Sequence, residues 1–216
     1  MKKTICSLAV VAALVSPSVF AHKQGDFVLR VGAASVVPND SSDKIPVPGT
    51  SEELEVDSNT QLGLTFGYMF TDNISFEVLA ATPFSHDIST DLGNLGDIAD
   101  TKHLPPTFMV QYYFGEPQSK FRPYVGAGLN YTIFFDEGFN GKGKSAGLSD
   151  LELDDSFGLA ANVGVDYMIN DQWFLNASAW YANIETEATY KAGGVKYKTD
   201  VEINPWVFMI SGGYKF

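Results

Sequence analysis

The 216-residue sequence predicts an all-β fold, an eight-stranded antiparallel up-and-down transmembrane β-barrel. Three observations carry that reading. Apolar residues recur with a period of two, the connections between these segments alternate between very short and very long, and aromatic residues close every second segment at one end.

The elements follow in chain order. Met1-Lys2-Lys3 is a short basic start, Ile5 to Val15 is mostly small and apolar, and Val19-Phe20-Ala21 places small residues where signal peptidase accepts them. Residues 1–21 are therefore expected to be a cleaved signal peptide, and residues 22–216 a single barrel domain beginning at His22. Cys6 leaves with the leader, so the mature chain is cysteine-free and draws no stability from disulfides. Strands are expected near 26–37, 56–70, 73–82, 103–115, 121–135, 155–169, 172–184 and 199–216. The clearest is the second, where Leu62, Leu64, Phe66, Tyr68 and Phe70 share one parity opposite Gly63, Thr65, Gly67 and Met69. The fifth repeats the pattern with Val125, Ala127, Leu129, Tyr131, Ile133 and Phe135, and the sixth with Phe157, Leu159, Ala161, Val163, Val165, Tyr167 and Ile169.

Thr71-Asp72, Glu116-Pro117-Gln118-Ser119 and Asn170-Asp171 read as hairpin turns. The other connections, near 38–55, 83–102, 136–154 and 185–198, are long and rich in Gly, Asp, Ser and Pro. A soluble sandwich has no reason to sort long and short loops to opposite ends. An outer-membrane barrel does, with short periplasmic turns and long extracellular loops. The pairs Tyr68-x-Phe70, Tyr112-x-Phe114, Tyr167-x-Ile169 and Tyr214-x-Phe216 read as a lower aromatic girdle beside Trp173, with Phe135, Tyr181 and Trp206 as an upper one. Ordinary sandwich-core aromatics are the alternative. Phe216, ending an alternating apolar strand, also fits recognition by barrel-assembly machinery.

Composition narrows the function classes. Lys plus Arg number 14 against 26 Asp plus Glu, a net charge of −12 that becomes −14 without the leader lysines. With no local basic patch, nucleic acid is excluded as a partner. No apolar run past the leader approaches the ~20 residues of a membrane helix. Outer-membrane lipid and lipopolysaccharide are the expected surroundings, in a Gram-negative cell and as a monomer.

Asn59 to Ser85, His103 to Gly115, Lys120 to Asn140 and Asn204 to Phe216 resemble the OmpW family of small outer-membrane proteins. The resemblance implies an eight-stranded barrel with an unusually hydrophobic lumen, concerned with passage of small hydrophobic molecules. Some members of the family also serve as colicin or phage receptors. Similarity is least over the loop from Pro38 to Glu55, so a receptor role carries over least.

The inward parity is informative in its own right. Arg30, Glu77, Arg122, Asp166 and Lys215 all fall in the periplasmic half, where they are expected to pair and seal that end, because unpaired buried charge is costly. Simple filling of a small barrel is the alternative. In the outer half the inward residues are Leu79, Met109, Phe134, Trp180, Val207 and Met209, an apolar set suited either to a small-molecule site or to plain core packing. The family resemblance implies that Leu79 and Trp180 constrict the lumen. Pro105 and Pro106 in strand 4 and Pro83 at the end of strand 3 lack the N–H that a ladder needs, and so mark either a lateral gap in the wall or a bulge.

Catalytic motifs are scarce. Ser85 and His86 are adjacent and face opposite ways in a strand, and no acidic partner stands at a defining position beside the scattered His22, His86 and His103. No zinc spacing or EF-hand pattern is found. The acidic loops, with Asp40, Asp43, Glu52, Glu53, Glu55 and Asp57 in the first, read as solvated surface near polysaccharide. The chain is expected to be a non-enzymatic barrel without metal or cofactor that binds and passes small hydrophobic solutes. The alternative is a surface-recognition barrel, for phage, bacteriocin or host, with an inert filled lumen.

Overall fold

The computed structural model describes residues 21–39, 41–42, 54–90 and 96–216. The leader through Phe20, including Cys6, and most of the 38–55 loop lie outside the described residues.

Eight strands close the barrel: β1 (Phe27–Val37), β4 (Asn59–Met69), β5 (Ile74–Ala81), β8 (Thr107–Tyr113), β9 (Phe121–Phe139), β11 (Ser156–Met168), β12 (Trp173–Ala182) and β15 (Trp206–Lys215). Every pairing is antiparallel, and the ring closes through β1 on β15 and β9 on β11. Closure is what permits strands to cross a bilayer, since every backbone N–H and C=O is then paired without water. The alternation read from the sequence sets the two faces. Along β4, Leu62, Leu64 and Phe66 are exposed while Gly63, Thr65, Gly67 and Met69 are buried. Ile210 is 75% exposed and Leu159 71%, an apolar exterior that only lipid tolerates.

The short turns gather at one end. Asn170 Oδ1 accepts from the backbone N–H of Gln172 and Trp173, and Thr71 Oγ1 accepts from Asn73 and Ile74, so a side-chain acceptor tightens each two-residue hairpin. Ring contacts circle that end. Tyr68 lies 5.2 Å from Phe70, Tyr112 5.2 Å from Phe114, and Tyr214 4.8 Å from both Phe216 and Trp173. At the opposite end Tyr181 and Trp206 meet at 5.4 Å.

The long connections, read as extracellular loops, are strand over most of their described length. β3 (Leu54–Val56), β6 (Phe84–Thr90) and β7 (Gly96–Leu104) extend one wall along the top of β9. A second wall joins β2 (Ser41–Ser42), β10 (Leu148–Leu153), β13 (Glu185–Ala192) and β14 (Val195–Glu202). A short helix, α1 (Gly141–Ser145), bridges β9 and β10, with Asn140 Oδ1 capping the N–H groups of Lys142 and Gly143.

Two expected strands are split. The segment read as 103–115 breaks at Pro105-Pro106, and that read as 199–216 breaks at 203–205, where Asn204 takes φ 37° ahead of Pro205. Proline supplies no ladder donor, so each continuous run becomes a membrane strand and an extracellular one.

Candidate functional site

The interior is layered. At the periplasmic end Arg30, which is 1% exposed, is the hub. Its guanidinium pairs with Glu77, donates from Nη2 to Asp166 Oδ2 at 2.7 Å, and donates to the Tyr113 hydroxyl at 2.6 Å. Asp166 also accepts from His22 Nε2 at 2.7 Å and from Asn176 Nδ2 at 2.8 Å, while Glu77 accepts from Thr65 at 2.9 Å and Gln111 at 2.7 Å. Tyr124 and Phe174 flank the guanidinium at 5.5 and 5.4 Å. Both aromatic rings need room from across the sheet. A Cβ on Gly164 would overlap Tyr124, and one on Gly213 would overlap Phe174, so glycine is required at those two inward positions.

The five charges expected at this end divide into two arrangements. Arg30, Glu77 and Asp166 form one connected cluster. Arg122 instead donates to the carbonyls of Phe114, His22 and Asp72 at 3.0, 3.0 and 2.8 Å, so backbone rather than carboxylate takes its charge. Lys215 lies 3.5 Å from the Asp26 carboxylate. His22, Asp26 and Tyr113 escaped the sequence reading. His22 precedes the first strand, where no parity assigns it a side, whereas Asp26 shares the inward parity of Arg30 and Tyr113 that of Met109 and Gln111, so both were legible from the alternation.

Above this base lies one apolar cluster containing all of Leu79, Met109, Phe134, Trp180 and Met209. Register fixes their heights. Leu79 pairs with Thr107 and Trp180 with Val207, whereas Met109 pairs with Glu77 and Met209 with Ser178, one inward step lower. The two methionines therefore sit at the upper margin of the ionic base, beneath the apolar layer of Leu79 and Trp180. Around Leu79 and Trp180 the lumen narrows to a cavity of 30 Å³, space for about two waters.

Higher still, between the two extracellular walls, a second cavity of 230 Å³ opens. Ile88, Ile98, Phe139, Tyr190 and Ile203 supply much of its apolar lining, and Phe134 lies at its edge. The sequence reading missed this chamber because it treated 83–102 and 185–198 as loops. The period-two run Phe84, His86, Ile88, Thr90, all buried, was the available signal.

The prolines lie beside a break in the wall. The β5–β8 ladder ends at Leu79 and Thr107, and pairing resumes in β6–β7 at Phe84 and His103. Residues 80–83 and 104–106 face each other across that interval, and Ala81, Phe84, His103 and Pro105 line the narrow cavity there. On its other side the strand stays attached to β9, where the Pro106 carbonyl accepts from Tyr131 N at 3.0 Å.

Among the described residues no group of three or more His, Asp or Glu side chains is placed to hold a metal. His86 Nδ1 meets the backbone carbonyl of Asp57, not a carboxylate.

A closed eight-stranded ring with a lipid-compatible exterior, girdled ends and sorted loops defines a β-barrel of the Gram-negative outer membrane. The OmpW family model matches residues 23–216, and the chain belongs to the OmpW family. Outer membrane protein W of Vibrio cholerae is 77% identical over the full length of both chains. The crystal structure of OprG from Pseudomonas aeruginosa is 46% identical and superposes with a TM-score of 0.85, covering 92% of this chain and 99% of that one. A more distant relative, 27% identical over the whole of both chains, is the dibenzothiophene metabolism operon protein PahQ of Pseudomonas aeruginosa.

Proposed function

We propose that this barrel binds small hydrophobic molecules from outside the cell and passes them, by diffusion, through the upper lumen and sideways into the bilayer. The observation that carries the reading is the sequence of surfaces along the axis. A solute meets the apolar 230 Å³ chamber, then the Leu79–Trp180 constriction, then a base closed by buried ions. An apolar molecule gains nothing by continuing downward, because the base offers it only charges already satisfied within the protein. The break flanked by Pro83, Pro105 and Pro106 is the exit at the level where the descent stops. A lumen serving only as filler has no need of an apolar chamber above the membrane, and pockets with apolar walls and few polar groups are those that hold small molecules. The name of PahQ, tied to metabolism of an apolar heteroaromatic compound, agrees with this class of solute.

Leu79 and Trp180 line the narrow 30 Å³ cavity, and in this reading a solute passes when they move aside. The test is uptake of a fluorescent apolar probe into lipid vesicles containing the protein. Leu79→Ala combined with Trp180→Ala should change the uptake rate several-fold, with the barrel still folded by its gel mobility without boiling. An unchanged rate removes the constriction from the mechanism. Export of the chain by a leader ending at Ala21, and recognition of Phe216 by the assembly machinery, belong to the same proposal, in a wall of lipid and lipopolysaccharide.

A further inference from the structure

Between the outer chamber and the narrow cavity stands a polar side chain that the transport path leaves without a task. His103 lines both cavities, and it ends the β6–β7 ladder opposite Phe84, two residues before Pro105 and the break in the wall. Its ring is 4% exposed and packs 4.9 Å from the ring of His86 and 5.5 Å from that of Phe84.

Among the described residues neither ring nitrogen of His103 has a hydrogen-bond partner. Those atoms are nonetheless open to contact. The side-chain atoms that are both unpaired and sealed off are His22 Nδ1, His86 Nε2 and the two amide atoms of Asn162. His103 is not in that group, so its nitrogens keep accessible surface, and for a buried residue lining two cavities that surface is cavity surface. The polar side chains around it are committed elsewhere. Thr186 donates to the Asp154 carbonyl at 2.6 Å, Thr107 to the Pro105 carbonyl at 3.0 Å, and Asn130 Nδ2 to Thr107 Oγ1 at 2.9 Å.

The junction also lacks charge. Burial in the extracellular β7 pushes the His103 pKa down to about 3, so the ring is neutral and presents one N–H donor and one bare acceptor. Among the described residues no lysine or arginine lines either cavity. An anionic head entering there leaves water without gaining a counter-charge, which is costly, whereas an uncharged hydroxyl or carbonyl finds a partner on the imidazole.

We infer that His103 is a solute-binding residue, and that the barrel prefers apolar molecules bearing one uncharged hydrogen-bonding head, a hydroxyl or a carbonyl, over plain hydrocarbons and fatty-acid anions. The hydrocarbon body fills the apolar chamber while the head docks on the imidazole, at the level where the path turns toward the break. The inference rests on the transport reading and names the solute class within it.

The test displaces a fluorescent apolar probe from the folded protein in lipid nanodiscs, using 1-decanol, n-undecane with the same number of heavy atoms, or decanoate at a pH that keeps it ionised. Each ligand is compared between the unmodified protein and His103→Leu, which cancels its own partition into lipid. Decanol should bind the variant about tenfold more weakly, the equivalent of one hydrogen bond of ~1.4 kcal/mol, while undecane and decanoate change by less than about twofold. If the variant does not fold, the unmodified protein decides. With isotope-labelled histidine, decanol should shift the ring-nitrogen resonances of His103 and undecane should leave them in place. Decanol binding unchanged by His103→Leu, an equal loss for decanol and undecane, or His103 resonances blind to decanol overturns the docking role and leaves hydrophobic binding intact. A loss for decanoate as large as that for decanol overturns the preference for uncharged heads. Failure of decanol and undecane alike to displace the probe overturns the transport reading as well.

Discussion

Asp166 shows how much of the base depends on one side chain. It accepts from Arg30, His22 and Asn176 in a site with no water access, so removing the carboxylate strands a guanidinium whose remaining anion is Glu77. Breaking a buried pair by deleting one partner costs about 3–5 kcal/mol, more than the intact pair contributes over an apolar substitute. Asp166→Ala should therefore lower the unfolding free energy by about that amount in urea titrations of the vesicle-bound barrel. Asp166→Asn, which keeps one acceptor oxygen, should lose less. A loss under about 1 kcal/mol for the alanine variant would show that the cluster is not the closed network described above. Parity alone exposed Arg30, Glu77 and Asp166 as inward charges. It did not reveal that Arg122 would spend its donors on carbonyls, because carbonyl positions depend on where the turns and the residues before β1 fold back.

Between elements, the same physics that made eight strands legible hid the others. A membrane strand has hydrocarbon on one face and the lumen on the other, so its alternation is sharp. The extracellular strands have water outside, contain polar runs such as Lys196-Tyr197-Lys198-Thr199-Asp200, and carry bulges. Register shifts between Ile88 and Ser89 and between Asp100 and Lys102 break the period of two just where the chamber is built. The prolines, by contrast, were readable as an interruption of the ladder, by a gap or a bulge, because a missing N–H acts locally. Whether the break transmits solute is tested by restoring the donor. Pro106→Val combined with Pro105→Val supplies two N–H groups opposite residues 80–83, and probe flux into vesicles should fall several-fold with the folded fraction unchanged. Flux equal to that of the unmodified barrel would leave the interval as a bend without a transport role.

For the molecule as a whole, both cavities and the ionic base are contributed by one chain, and the exterior between the girdles is largely apolar. Nothing in the path requires a second copy, so light scattering corrected for bound detergent should return the mass of a single chain. A stable trimer would mean that the break between β5 and β8 faces a neighbouring protein and not lipid, and would redirect the proposed exit. The acidic excess and the missing disulfides now have a common setting. The ring of ladders supplies the closure that cross-links supply in small exported domains, and the interior charges that remain are spent on the base.

That base has a consequence for the cell as well as for the protein. A pore that ran straight through would equilibrate every small ion and polar toxin across the envelope along with the intended cargo. With its floor shut and the exit proposed above in its wall, the barrel would work like a siding rather than a tunnel. Apolar cargo would change track into the membrane itself, and the closed floor would open no aqueous path for ions beside it.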